Sequence, residues 1–276
     1  MLDLQLNLLP MSCLYIDFMD LAKVKIPVMV RFMYGIIYNM KIGVCIPCYL
    51  GHINCLDGVL LSIENQTFKP HIVSISISGI LPSTIIPSFT TSFPLKISTT
   101  NLSKNAGQNR NIAVDQIKND VDIITFFDAD DFMHRRRLEI INNAFQDNTC
   151  HVFMHGYQTC SRADDADTLM KRVDQIPTTG KIFDKTSCNT TKFVATFDDN
   201  NNYVSVAAGH ISFRISVFFI NRVPENAIGY EDNQYTKDLF NAGYKIKFTP
   251  DMLSMYRCLG IRKDIQHTIT RHKNTR

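Results

Sequence analysis

The stretch Ile123–Asp131, IITFFDADD, restricts the fold more than any other part of this 276-residue chain. Mostly apolar residues from Ile123 to Phe127 run without alternation into a cluster of carboxylates. Such a run reads as a strand buried on both faces of a parallel sheet, ending where its loop meets solvent. Side chains alternate along a strand, so Asp128 and Asp130 are expected on one side if the extended backbone persists. Two carboxylates side by side repel each other unless a cation sits between them, and hard oxygen donors suit Mg2+ or Mn2+. Asp131 has another role open to it, as N-cap of the helix that follows. An isolated D-x-D is a short motif, and on its own all three acids read as loop and cap residues. The rest of the chain changes that balance.

The composition is that of an ordinary globular protein with a sizeable core, 45% hydrophobic and 20% charged. The net charge of +3 is unevenly placed. Six Lys/Arg against one Asp lie between Arg257 and Arg276, and such a basic tail can meet phosphates or an acidic membrane surface. Eight cysteines in a chain of this length do not make a disulfide scaffold. Cys45 and Cys48 form a C-x-x-C without a second one to complete a zinc site, and they read as core residues of a strand. No charged start precedes an apolar run, so no secretory signal is read at the N-terminus. The run Ile26–Tyr38 is too short to span a bilayer and contains Arg31. A cytoplasmic protein is expected. Residues 1–39 read as a dispensable extension, because MKIGVCIP from Met40 looks like a chain opening directly on its first strand.

The elements alternate. Ile42–Pro47 reads as a short buried strand. Ile53, Leu56, Leu60 and Ile63 then recur at helical spacing. A second strand, Ile72–Ser78, and a third, Leu95–Ser98, flank a Pro/Ser/Thr-rich connection. Asn105–Asn111 opens a helix, the DADD strand follows, and Leu138, Ile141 and Phe145 mark the next helix. This is the pattern of βαβ units and a mostly parallel sheet, with ligands at the carboxyl ends of the strands. His151–Tyr157 reads as a further strand. Residues 161–202 are polar with little periodicity and read as a long loop or insertion. Order returns at Tyr203–Ala208, a helix is expected around Ile215–Asn221, another opens at Glu231, and Tyr244–Phe248 closes the sheet. His210 stands before an apolar run and reads as structural.

At this point the chain resembles family 2 glycosyltransferases. IPCYLGHINCLDGVLLSIENQTF resembles the family's opening strand, turn and helix. NAGQNRN (105–111) resembles its Asn-x-Gly…Arg-Asn segment, ITFFDADD its metal-binding strand, and GYEDNQYTKDLFNAGY (229–244) its Glu-Asp motif and helix. All four occur in the family's order, over roughly residues 41–257. The resemblance implies a single-domain α/β fold of GT-A (Rossmann-like) type, residues 40–257, with a mostly parallel sheet flanked by helices. It implies sugar transfer, with inversion, from a nucleotide-diphosphate sugar, expected to be a UDP-sugar, to the hydroxyl of a glycan, lipid or protein acceptor. Asp130 is then the principal ligand of Mn2+ or Mg2+. Asp128 shares the metal or contacts the ribose. Pro47, Tyr49, Ser78, Asn105 and Arg110 lie on the nucleotide side. Asp232 is the general base, with Glu231 beside it. The insertion 161–202 faces the acceptor, and the tail 258–276 is a basic appendage open to peripheral membrane contact.

Two departures stand out. The family's acidic residue after the second strand is replaced here by Ser76-Ile77-Ser78-Gly79, which offers hydroxyls but no carboxylate. MLSMYRCLG supplies no match to the His that some relatives add as a metal ligand, and His267 and His272 read as solvated tail residues. The alternative reading is a degenerate, non-catalytic nucleotide- or glycan-binding relative. A nucleotidyltransferase would need a Gly-rich loop where CYLGHIN stands. Nucleic-acid binding finds no basic patch interleaved with aromatics.

Overall fold

The computed structural model describes residues 39–81, 83–84, 86–160, 165–184, 195–197, 203–205, 210–226 and 231–257. The compact unit described begins at Asn39. The expectations for residues 1–38, for Gly229-Tyr230 and for the tail 258–276 lie outside the described residues.

The sheet is built by the apolar runs. Strands β1 (Ile42–Tyr49), β2 (Ile72–Ser78), β3 (Leu95–Thr100) and β4 (Ile123–Phe126) lie parallel in the order β3-β2-β1-β4. β2 is buried at every position and β4 likewise, as strands covered on both faces must be. The sheet continues through β10 (Ser212–Arg214), which runs antiparallel between β4 and β6 (Val152–Thr159). Beyond β6 lies β11 (Ile246–Tyr256), parallel to it and bulged between Thr249 and Ser254. Short antiparallel strands β5 (Phe132–Met133) and β7 (Phe183–Asp184) pair with β11 and complete nine strands. A separate pair, β8 (Ala195–Phe197) and β9 (Tyr203–Ser205), makes a small hairpin-like sheet. The sheet is therefore mixed although mostly parallel. The closing strand is much longer than the expected Tyr244–Phe248.

Helices cover both faces. α1 (Leu56–Glu64), preceded by a 3-10 turn over Leu50–Cys55, buries Leu56, Val59, Leu60 and Ile63. α2 (Ala106–Asp115) begins in a capping box. The Asn105 side chain accepts from Gln108 N at 2.9 Å, and Gln108 reaches back to Asn105 N. α3 (Arg137–Phe145) buries Leu138, Ile140, Ile141 and Phe145. Gln66, buried after α1, pins its start by accepting from Leu138 N and donating to His134 O. α5 (Ile215–Ile220) and α6 (Glu231–Asn241) pack on the far half, where Tyr235 and Leu239 are buried with Phe213 and Phe218. Cys45 and Cys48 are buried in β1 as core residues.

Part of the polar stretch 161–202 departs from the expected loop. α4 (Ala166–Asp174) forms there, with Asp165 as N-cap accepting from Thr168 N at 2.8 Å. Its Leu169 and Val173 pack on Phe132 and Met255. Two apolar residues one turn apart suffice to dock a helix of this length, and the surrounding polar residues hide them from a compositional reading.

Candidate active site

Asp128 follows the end of β4, at the edge where β1 and β2 also end. The extended backbone does not persist beyond it. Ala129 and Asp130 form a turn, closed by Asp131 N donating to Asp128 O at 3.3 Å. The alternation that would have aligned Asp128 with Asp130 is broken, and the turn brings Asp131 back toward Asp128. The expected capping role of Asp131 is also overturned, because the residue preceding α3 is Arg136. Asp131 is instead fully buried. Its Oδ2 lies 2.6 Å from Nε2 of His210, and its Oδ1 accepts from Arg257 N at 2.8 Å.

One ligand atom each from Asp128, Asp131 and His210 fall within 4.8 Å of one another, a group that can hold a metal ion. Asp130 is outside that group. It is 9% exposed, and its Oδ2 lies 3.9 Å from Nε2 of His52, on the turn after β1. Burial, with Asp131 and Asp128 beside it, pushes the Asp130 carboxyl up to about 8. A carboxyl so poorly compensated fits a cation that restores its charge. Asp131 is also raised, by burial and then by Asp128, while burial pulls His210 down to about 3. His210 and Asp131 form a buried, closely hydrogen-bonded pair, with the backbone N–H of Arg257 closing on the acid.

Arg110 joins two parts of the chain. From the second turn of α2, its Nη2 donates to Asp128 Oδ1 at 3.0 Å and its Nη1 to Glu231 Oε1 at 2.8 Å. Burial lowers the guanidinium's pKa, but Asp128, Asp232 and Glu231 together outweigh it and hold the group above its usual value. Glu231 and Asp232 occupy the first turn of α6, where acids favour the helix dipole. Glu231 is buried and Asp232 half-buried.

The remaining expected residues frame the same edge. Pro47 and Tyr49 end β1, half-buried, with the Tyr49 ring 4.3 Å from that of His52. Ser78 ends β2, buried, and its hydroxyl accepts from Asn109 Nδ2 at 2.9 Å. Asn105 spends both ends of its amide on structure, capping α2 and donating to Glu225 O.

Two residues outside the expected set carry the site. His210 is one. Arg137 is the other, fully buried and donating to Ser254 Oγ at 3.1 Å, Thr125 Oγ1 at 3.0 Å and Phe126 O at 2.7 Å. Its guanidinium lies 4.9 Å from the Phe127 ring centroid, and burial lowers its pKa to about 9. It ties β4 to β11 directly beneath the acids. An Arg at the start of a helix gives no such signal in sequence.

A mostly parallel sheet with an acid cluster at its strand ends has the GT-A form of glycosyltransferases. The model of the family Glycosyl transferase family 2 matches residues 43–199, over half of the chain, and the chain belongs to that family. No curated protein sequence matches it. Among solved structures it is similar to Staphylococcus aureus TarS residues 1–349 in complex with UDP, at 13% identity and a TM-score of 0.50, covering 84% of this chain and 64% of that one. The TarS 1–349 complex with UDP-GlcNAc gives 13% identity and a TM-score of 0.51, covering 81% and 60%. The chain thus spans less than two thirds of the structures it resembles.

Proposed function

We propose that this chain moves a sugar from a nucleotide-diphosphate sugar to an acceptor hydroxyl with inversion. The observation that carries the proposal is the Arg110 bridge, which places the acid after β4 and the acid pair of α6 around one guanidinium. Family membership supports it. TarS structures hold UDP and UDP-GlcNAc, so UDP-sugars are the donors to test first.

Asp130 and Asp128 would hold Mn2+ or Mg2+, with the Asp131–His210 pair fixing the turn from below. Such a cation supplies positive charge against the departing diphosphate. Arg110 holds Asp128 and Glu231 in place through its two hydrogen bonds, and Asp232 takes the proton from the attacking hydroxyl. One base and direct displacement invert the anomeric centre. Pro47, Tyr49 and Ser78 flank the nucleotide side, and Asn105 serves it by fixing the start of α2.

Residues 40–257 form the catalytic domain in this reading, and a chain begun at Met40 should fold and bind nucleotide as the full chain does. Residues 161–202 face the acceptor, which is a glycan or a glycan-bearing lipid or protein. The basic tail meets an acidic membrane surface, testable by vesicle co-sedimentation with and without residues 258–276.

The deciding experiment is calorimetry of UDP and GDP binding, with and without Mn2+, on the wild type and Asp130→Ala. Metal-dependent binding of one nucleotide, lost in the variant, is expected. No binding of either to the wild type would leave the degenerate binding-module reading in its place.

A further inference from the structure

Away from the acid cluster, the described residues line a cleft of about 910 Å³ between the end of β6, the bulge of β11 and the chain leaving α4. No residue lining it takes part in the chemistry above. The volume is within the range of small-ligand sites, and the cleft is open, with polar side chains set among apolar surface from Ile176, Pro177, Pro250 and Met252.

Its walls are fixed. Both carboxylate oxygens of Asp251 are occupied by the chain opposite: Oδ1 accepts from Thr179 N and Thr179 Oγ1, each at 2.9 Å, and Oδ2 from Gly180 N at 2.7 Å. The same chain is tied at Ile176, whose carbonyl lies 3.1 Å from His134 Nε2, and at Thr178, which accepts from Arg136 Nη1 at 3.0 Å. On the other side the Tyr157 ring meets Tyr256 edge-on at 5.7 Å.

Between these walls stand Gln158, Thr159, Gln175 and Met252, all exposed, with Tyr157 and Arg172 half-buried. Amides and hydroxyls both donate and accept, as sugar hydroxyls require. Met252, 43% exposed, and the Tyr157 ring offer apolar surface for the C–H face of a sugar. Asp251 is consumed by Thr179 and Gly180 of the chain opposite, so the lining presents no spare carboxylate to select a cation. An extended polyhydroxylated chain matches this surface best.

The segments that wall the cleft also continue along the chain to the acid site. β11 runs from Met252 to the residue before Arg257, whose N–H closes on Asp131, and His134 lies just beyond β5 in the segment that leaves Asp131. We infer that this cleft binds the acceptor as a glycan chain, laid along the end of β6 and α4. The inference rests on the sugar-transfer reading and extends it to the second substrate.

The test is saturation-transfer NMR of the full chain with chitohexaose, maltohexaose and a hyaluronan hexasaccharide, on the wild type, Gln158→Ala, Tyr157→Ala and Asp130→Ala. Saturable binding of at least one oligosaccharide is expected, weakened about tenfold by either cleft variant, the effect of losing one good hydrogen bond or ring contact. Asp130→Ala should bind it as the wild type does. Binding of none of the three, or binding that both cleft variants leave unchanged, overturns the inference. UDP calorimetry on the same proteins separates the two readings: cleft variants should retain nucleotide binding, and a wild type that binds glycan but no nucleotide would sink the transfer reading while leaving the cleft assigned.

Discussion

Arg110 Nη1 and Glu231 Oε1 meet at 2.8 Å across 121 positions of sequence, with the guanidinium side chain 5% exposed. This contact, with the partner bond to Asp128, sets the distance between the β4 turn and the first turn of α6. Removing the cation from a buried pair leaves unpaired charge. Arg110→Ala should cost about 3 kcal/mol in denaturant unfolding. A loss below about 1 kcal/mol would show the bridge to be dispensable for the fold.

The two acids after Asp128 should behave differently. Asp130→Ala is expected to unfold at the wild-type temperature and to lose Mn2+ binding. Asp131→Asn, which disturbs the contacts with His210 and Arg257 N, should lower the melting temperature markedly. If Asp130→Ala keeps full Mn2+ affinity by calorimetry, the ion belongs to Asp128, Asp131 and His210 instead.

Asp232→Asn should reduce turnover by roughly 100-fold or more while nucleotide affinity is retained, the pattern of a lost general base. Single-turnover measurement with a working donor and acceptor decides it. Near-normal turnover removes Asp232 from the role.

Away from the site, the Lys247 ammonium at 2.6 Å, aided by Thr149, draws the Asp147 carboxyl from 3.8 down to about 2. A depressed carboxylate contributes stability that is present above its unfolded value and lost as pH falls through the folded one. The melting temperatures of wild type and Asp147→Asn should therefore differ at pH 7 and converge as pH drops from about 4 to about 2. A constant difference across that window would exclude the pair as the cause.

Gly107 tests how closely α2 approaches the segment before α6. A Cβ there would stand 2.4 Å from the carbonyl oxygen of Pro224. Helix propensity alone favours alanine by about 1 kcal/mol. The collision is with backbone, which cannot rotate away, so Gly107→Ala should destabilise by about 1–3 kcal/mol in urea titration. A stabilised variant would contradict the close packing.

Legibility in sequence tracked the kind of signal available. β1, β2 and β4 were readable because continuous apolar runs ending in polar residues have few other interpretations. α2 was readable from Asn105 and the turn that follows. β10 was not, since three residues carry no period. α4 was missed because Leu169 and Val173 sit in a polar neighbourhood. The D-x-D side chains were misaligned by assuming an extended backbone where Ala129-Asp130 turns. His210 and Arg137 were invisible as site residues because their partners, Asp131 and Thr125 among them, come close only in the folded chain.

The three-residue strand β10 joins the half-sheet β3-β2-β1-β4 to the half-sheet β6-β11-β5. It is made after β6 and before β11. During synthesis, then, the edge of β4 stays open until Ser212–Arg214 has left the ribosome, and the nascent chain carries an unsealed apolar edge through all of the polar stretch between. Translation rate across residues 161–211 thereby sets how long that edge stays available to chaperones or to a neighbouring nascent chain.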